Sequence, residues 1–101
     1  MSLQFDGFDW DRGNVAKCQK HGLSLELIEG LFARPLAIIP GAVRLDEERR
    51  FCAIGHAENG RNVFIVFTLR RKGDEQLIRP ISARYMHKKE VEAFEKENPN
   101  I

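Results

Sequence analysis

Apolar positions follow two spacings along this chain, helical at first and alternating later. In residues 25–33, Leu27, Ile28, Leu31 and Phe32 recur at i, i+1, i+4 and i+5, the stripe of a core-facing helix. Ser24 is placed to cap its start and Pro35 to stop it. Ahead of it, Asp11 is a good N-cap for a helix over residues 12–21, in which Val15, Ala16 and Cys18 make a modest apolar face. Gly22 suits the left-handed residue that ends such a helix. Residues 4–8 read as a short strand or extended lead-in, and residues 36–40, LAIIP, as a short apolar strand closed by Pro-Gly. Strand patterns then cover residues 49–56, 62–70 and 76–84, with an Asn59-Gly60 hairpin signal between the first two and a turn at 71–75. Pro80 lacks a donor, so its strand should lie at an edge or be irregular there. A last helix over 87–97 turns Val91 and Phe94 to the core before Asn98-Pro99. The simplest assembly is a four- to five-stranded, mainly antiparallel meander with two N-terminal helices and one C-terminal helix, an α+β fold.

Composition narrows the class. The 101 residues fit one domain, and 43% hydrophobic with 31% charged residues is the balance of a globular protein. No apolar run approaches the roughly 18 residues of a membrane span, and MSLQFDGFDW has neither the basic nor the apolar region of a secretory signal. Cys18 and Cys52 form no C-x-x-C pair and are expected as reduced thiols in a cytoplasm. The formal net charge is only +1, but it is unevenly spread. Residues 44–89 hold eleven Lys/Arg against six Asp/Glu, and the remainder five against nine. Such a chain can carry a local positive face at near-neutral total charge, or an evenly solvated surface.

Candidate chemistry gathers in two places. Lys17, Lys20 and His21 stand in the last turn of the first helix. They can complement the helix dipole, or grip phosphate beside an imidazole able to move protons near neutral pH. On the strands, alternation puts Phe64, Val66, Thr68 and Arg70 on one face, Ser82 and Arg84 on another shared face, and Arg79 opposite to those two. Arg49 shares a face with Phe51, one residue out of step with Arg50. Guanidiniums on strands need carboxylates, phosphates or solvent. They can pair with Asp46, Glu47, Glu48, Asp74 or Glu75; the alternative is a face that binds phosphate bidentately and stabilises a pentacoordinate phosphorus. His21, His56 and His87 match no zinc spacing with the two cysteines, and no phosphate-binding glycine loop or G-x-S-x-G elbow occurs, so no metal or cofactor is expected. Trp10 reads as a core anchor.

Taken in order, FDWDRGNVAKCQKHGLSLELIEGLF, DEERRFCAIGHAENGRNVFIVFTLR and IRPISARYMHKKEVEAFE resemble the BrnT family of bacterial toxins over about residues 5–96. The resemblance rests on W-D, K-H-G-[LV]-S, E-E-R, I-G, G-R, T-x-R and I-S-A-R together. It implies a RelE-like fold and a metal-independent endoribonuclease that cleaves messenger RNA and halts translation. It also implies a BrnA-like antitoxin that binds DNA, blocks the toxin and assembles with it as a heterotetramer. Matched position by position, Lys20 and His21 fall in K-H-G, Glu47, Glu48 and Arg49 in E-E-R, Thr68 and Arg70 in T-x-R, and Ser82, Ala83 and Arg84 in S-A-R. Pro40-Gly41 and Phe94 depart from the residues common in the family, Asp and Tyr respectively. The expected catalytic set is therefore His21 as acid or base, Glu48 as alternative base, and Arg49, Arg70 and Arg84 on the transition state. Lys17, Lys20, Arg50, Arg79 and Ser82 are expected to bind RNA. The competing reading is a diverged, non-catalytic module that binds nucleic acid or antitoxin through the same charge.

Overall fold

A computed structural model describes residues 4–39, 44–45 and 49–97, with 44 and 45 by their backbone alone. Among these residues three helices, α1 (Arg12–Gln19), α2 (Leu25–Leu31) and α3 (Lys88–Glu97), accompany six strands. The strands are β1 (Gly7–Phe8), β2 (Ala37–Ile38), β3 (Arg44–Leu45), β4 (Arg49–His56), β5 (Asn62–Lys72) and β6 (Glu75–Tyr85). They form one sheet in the order β1-β6-β5-β4-β2, with β3 also paired to β4. The expected α+β class, the mainly antiparallel sheet and the helix count hold. Among the described residues one pair alone runs parallel, β1 with β6, which makes the sheet mixed, and the two-residue β3 lies off the five-strand path. Strands of two residues are too short to leave an alternating pattern in the sequence.

The local signals act as their chemistry requires. Asp11 accepts from the backbone N–H groups of Gly13 and Asn14, and the Asn14 side chain accepts from the N–H of Asp11, a reciprocal capping box. Gly22, at φ 86°, ends the turn after α1, where a side chain would strain the backbone. The Ser24 hydroxyl accepts from the Leu27 N–H. At the β4–β5 turn, Gly60 adopts φ 87°, and its N–H donates to the Ala57 carbonyl.

Alternation then sorts β4, β5 and β6 into two faces. Ala53, Val63, Ile65, Phe67 and Ala83 share the core face with Ile78, packed against Cys18, Leu23, Ile28, Leu31 and Phe32. Burying an aliphatic or aromatic side chain of this kind contributes roughly 1.5–3 kcal/mol. Phe67 anchors the centre, edge-on to Phe32 at 5.1 Å and stacked on Phe51 at 5.5 Å. Trp10 packs against this core and donates its indole N–H to Glu29 at 2.9 Å. In α3, Val91 and Phe94 are only half-buried, and no residue of that helix is fully buried. The expected inward turn of α3 is therefore partial.

A bulge resets β6. Val66 pairs with Ser82 but Phe67 with Pro80, so Ile81 is the extra residue. Pro80 is thus at an irregular point, as its missing donor demands. Its carbonyl, beyond the end of the β1 pairing, accepts from the buried Asn14 amide at 2.9 Å. The same amide donates to the Asp9 carbonyl at 2.9 Å. These two bonds pin α1 along the edge of β6.

Candidate functional site

Lys17, Lys20 and His21 lie at i, i+3 and i+4, so they share one side of the end of α1 and the turn that follows. Asn14 and Cys18 face the other way and are buried. Because α1 runs along the β6 edge, its cationic end overhangs the face of the sheet opposite the core. There Cys52, Val66 and Ser82 form a straight row across β4, β5 and β6. The overhang and the row enclose an open groove of about 490 Å³, completed by Arg50 and by Ile81 of the bulge. Among the described residues its lining holds cations, an imidazole, a hydroxyl and apolar side chains, and no carboxylate.

Five of the ten expected site residues therefore meet: Lys17, Lys20, His21, Arg50 and Ser82. The others are distributed differently. Arg49 projects to the face opposite the groove, its guanidinium 5.8 Å from the Phe51 ring centre. Arg84 makes a bidentate pair with Glu90 of α3, at 2.8 and 2.9 Å, over the Phe64 ring. This pairing raises the arginine further above its ordinary range. It also holds the Glu90 carboxyl down at about 2, helped by the His87 backbone N–H. Arg70 is exposed, on the groove side of β5 next to Thr68 in the alternation. Glu48, Glu47 and Pro40-Gly41 lie outside the described residues.

Arg79 needs a correction. Strict alternation set it on the face opposite Ser82 and Arg84, but the bulge pairs it with Thr68, on the groove side. It does not open to the groove. It pairs with Asp11 at 2.9 Å and Asp9 at 3.6 Å, and Asp9 also meets Lys72 at 3.3 Å. The Asn14 N–H first, then Arg79, hold the Asp11 carboxyl below its ordinary value. Arg79 thus ties the start of α1 to β6. Among the described residues Arg79 takes Asp9 and Asp11, distant in sequence, and Arg84 takes Glu90, six positions on; Asp46, Glu47 and Glu48, which the sequence offered, lie outside them. The groove floor of Cys52, Val66 and Ile81 escaped sequence reading. The step from Arg50 to Cys52 was available from alternation; Ile81 was not, because only the bulge turns it there.

Among the described residues, no group of three or more His, Cys, Asp or Glu is placed to hold a metal ion. Among them too, no helix is long and apolar enough to cross a membrane. The groove gathers cations, an imidazole and a hydroxyl on one concave surface, donors of the kind that phosphate oxygens accept from. The model of BrnT, the ribonuclease toxin of a type II toxin–antitoxin system, matches residues 10–90, and the chain belongs to that family. The match spans α1 to the first turn of α3 and so includes the whole groove. No curated protein matches the chain. Type II toxins of this kind are paired with an antitoxin.

Proposed function

We propose that this ribonuclease toxin is an endoribonuclease that cleaves messenger RNA without a metal, and that the strand lies in the groove beneath the end of α1. The observation that carries this is the convergence of Lys17, Lys20, His21, Arg50 and Ser82 on one concave surface. In the reaction, a ribose 2′-oxygen attacks its own phosphorus and the bond to the 5′-oxygen breaks. The 2′-hydroxyl proton passes to the imidazole of His21. The departing 5′-oxygen takes a proton from a groove ammonium or from water. The products are a 2′,3′-cyclic phosphate and a 5′-hydroxyl. Arg50, whose planar fork matches phosphate oxygens, meets the charge that grows on the phosphorane together with Lys20. Lys17 holds a flanking phosphate, and Arg70 extends the cationic track along β5. Glu48 stays the alternative base. Arg49 and Arg84 leave the catalytic set, the first for its face and the second for its Glu90 partner. Inhibition of translation in the cytoplasm, and relief by a BrnA-like antitoxin in a heterotetramer, complete the reading.

The test is incubation with a long RNA in EDTA, beside His21→Ala and Arg50→Ala. Cleavage should survive EDTA and leave cyclic-phosphate ends. Each variant should lose about two orders of magnitude in rate, the cost of removing one well-placed donor, about 3 kcal/mol. Equal cleavage by both variants would remove the groove from the mechanism. RNA that is bound but uncut throughout would identify a binding module instead.

A further inference from the structure

Gripping a polyanion by charge alone requires only a ring of cations, and a flat surface serves as well as a groove. This groove has more than that. Beneath its cationic rim lie Cys52, Val66 and Ile81, an apolar floor that remains open. Its volume, about 490 Å³, is in the range that holds a small ligand. A rim of cations above an apolar floor complements one chemical unit in particular, a nucleoside between two phosphates. We propose that this floor is an unselective nucleoside subsite: one base and its ribose pack on Cys52, Val66 and Ile81 while the flanking phosphates meet Lys17 and Lys20 on one side and Arg50 on the other. This rests on the RNA reading given above. Apolar contact with a base face tolerates every base, because every base has one. Reading a base edge needs fixed donors and acceptors, and among the described residues the floor offers the Ser82 hydroxyl. Binding is therefore nearly independent of which base occupies the subsite.

The protein carries its own reporter. Cys52 lies on the floor, and Cys18 is fully buried with its thiol pushed up to about 11 by burial, which leaves it unreactive. The labelling rate of Cys52 by a small methanethiosulfonate reagent is measured by mass spectrometry. It is compared with saturating 2′-O-methyl oligoribonucleotide, which cannot be cleaved, and with saturating inorganic polyphosphate. The oligonucleotide should slow labelling at least about tenfold and polyphosphate by less than about threefold, with A, C and U homopolymers alike within about threefold. Val66→Phe, checked for folding by thermal melting, should weaken oligonucleotide binding about tenfold and leave polyphosphate binding unchanged. Equal protection by both polyanions, or a strong preference for one base, overturns the subsite. An oligonucleotide that binds without protecting Cys52 also overturns it and leaves the RNA reading standing. A protein that binds no oligonucleotide overturns both.

Discussion

Glu90 shows how a single half-buried carboxylate can link two elements. Its bidentate contact with Arg84 and its acceptance of the His87 N–H join the end of β6 to the start of α3. Both contacts favour the charged form, so the folded-state value, about 2, lies below that of an unfolded glutamate. The unfolded chain then takes up the proton first as pH falls. The pair's contribution is complete above about pH 4.5 and is lost as pH approaches 2. Thermal melts should therefore fall more steeply across that window for the parent than for Glu90→Gln. Above it, the variant should be the less stable of the two. Because the pair is more than a third exposed, the difference should be small and should shrink with salt. Identical pH profiles would show that the pair contributes nothing to stability.

At the scale of elements, α1 is the part on which the groove depends. Its eight residues are too few to be a stable helix alone, and its position comes from Asp11, Asn14 and Arg79. Asn14→Ala would leave the Asp9 and Pro80 carbonyls buried without that donor. Urea denaturation should show a loss of about 1–3 kcal/mol. A second contact fixes α2 over β4. A methyl group on Gly55 would sit 2.8 Å from the Leu36 Cδ2 and 3.3 Å from the Leu31 Cβ. Gly55→Ala should cost about 1–3 kcal/mol by the same measurement. A neutral result there would mean that Leu36 swings aside freely. These elements were largely legible in advance, since caps, terminating glycines and the hairpin turn are local interactions between residues close in sequence. What was not legible was the partner of each element outside the meander. The parallel pairing of β1 with β6 joins Gly7 to Leu77 and Phe8 to Ile78, across most of the chain.

At the scale of the molecule, the net charge of +1 hides a sorted surface. Arg79 and Arg84 are neutralised by carboxylates, and the groove keeps Lys17, Lys20 and Arg50. Single-stranded nucleic acid releases counterions in proportion to the phosphates neutralised, with a slope near −0.7 for each. Three cations therefore predict that log K for an uncleavable RNA falls with log salt at a slope of about −2. Lys17→Ala or Arg50→Ala should each flatten it by about 0.7, measured by fluorescence anisotropy across a salt series. Unchanged slopes in both would place the strand elsewhere on the molecule.

The helices, their caps, the hairpin at Asn59-Gly60, the α+β class, the family resemblance and the cationic end of α1 could all be read along the chain. Each of these rests on residue type and on spacing within a few positions, where backbone geometry alone decides which side chains are neighbours. Which cations come to lie together depended on contacts between residues far apart along the chain. The bulge at Ile81 turned Arg79 to the groove side and brought Ile81 to the floor. Asp9 and Asp11 then claimed Arg79, and Glu90 claimed Arg84. Alternation cannot foresee a register shift, and an ion pair depends on distance through space. The groove exists because a helix pinned by one buried amide brings its last turn over a row of three strands that the sequence holds thirty residues apart.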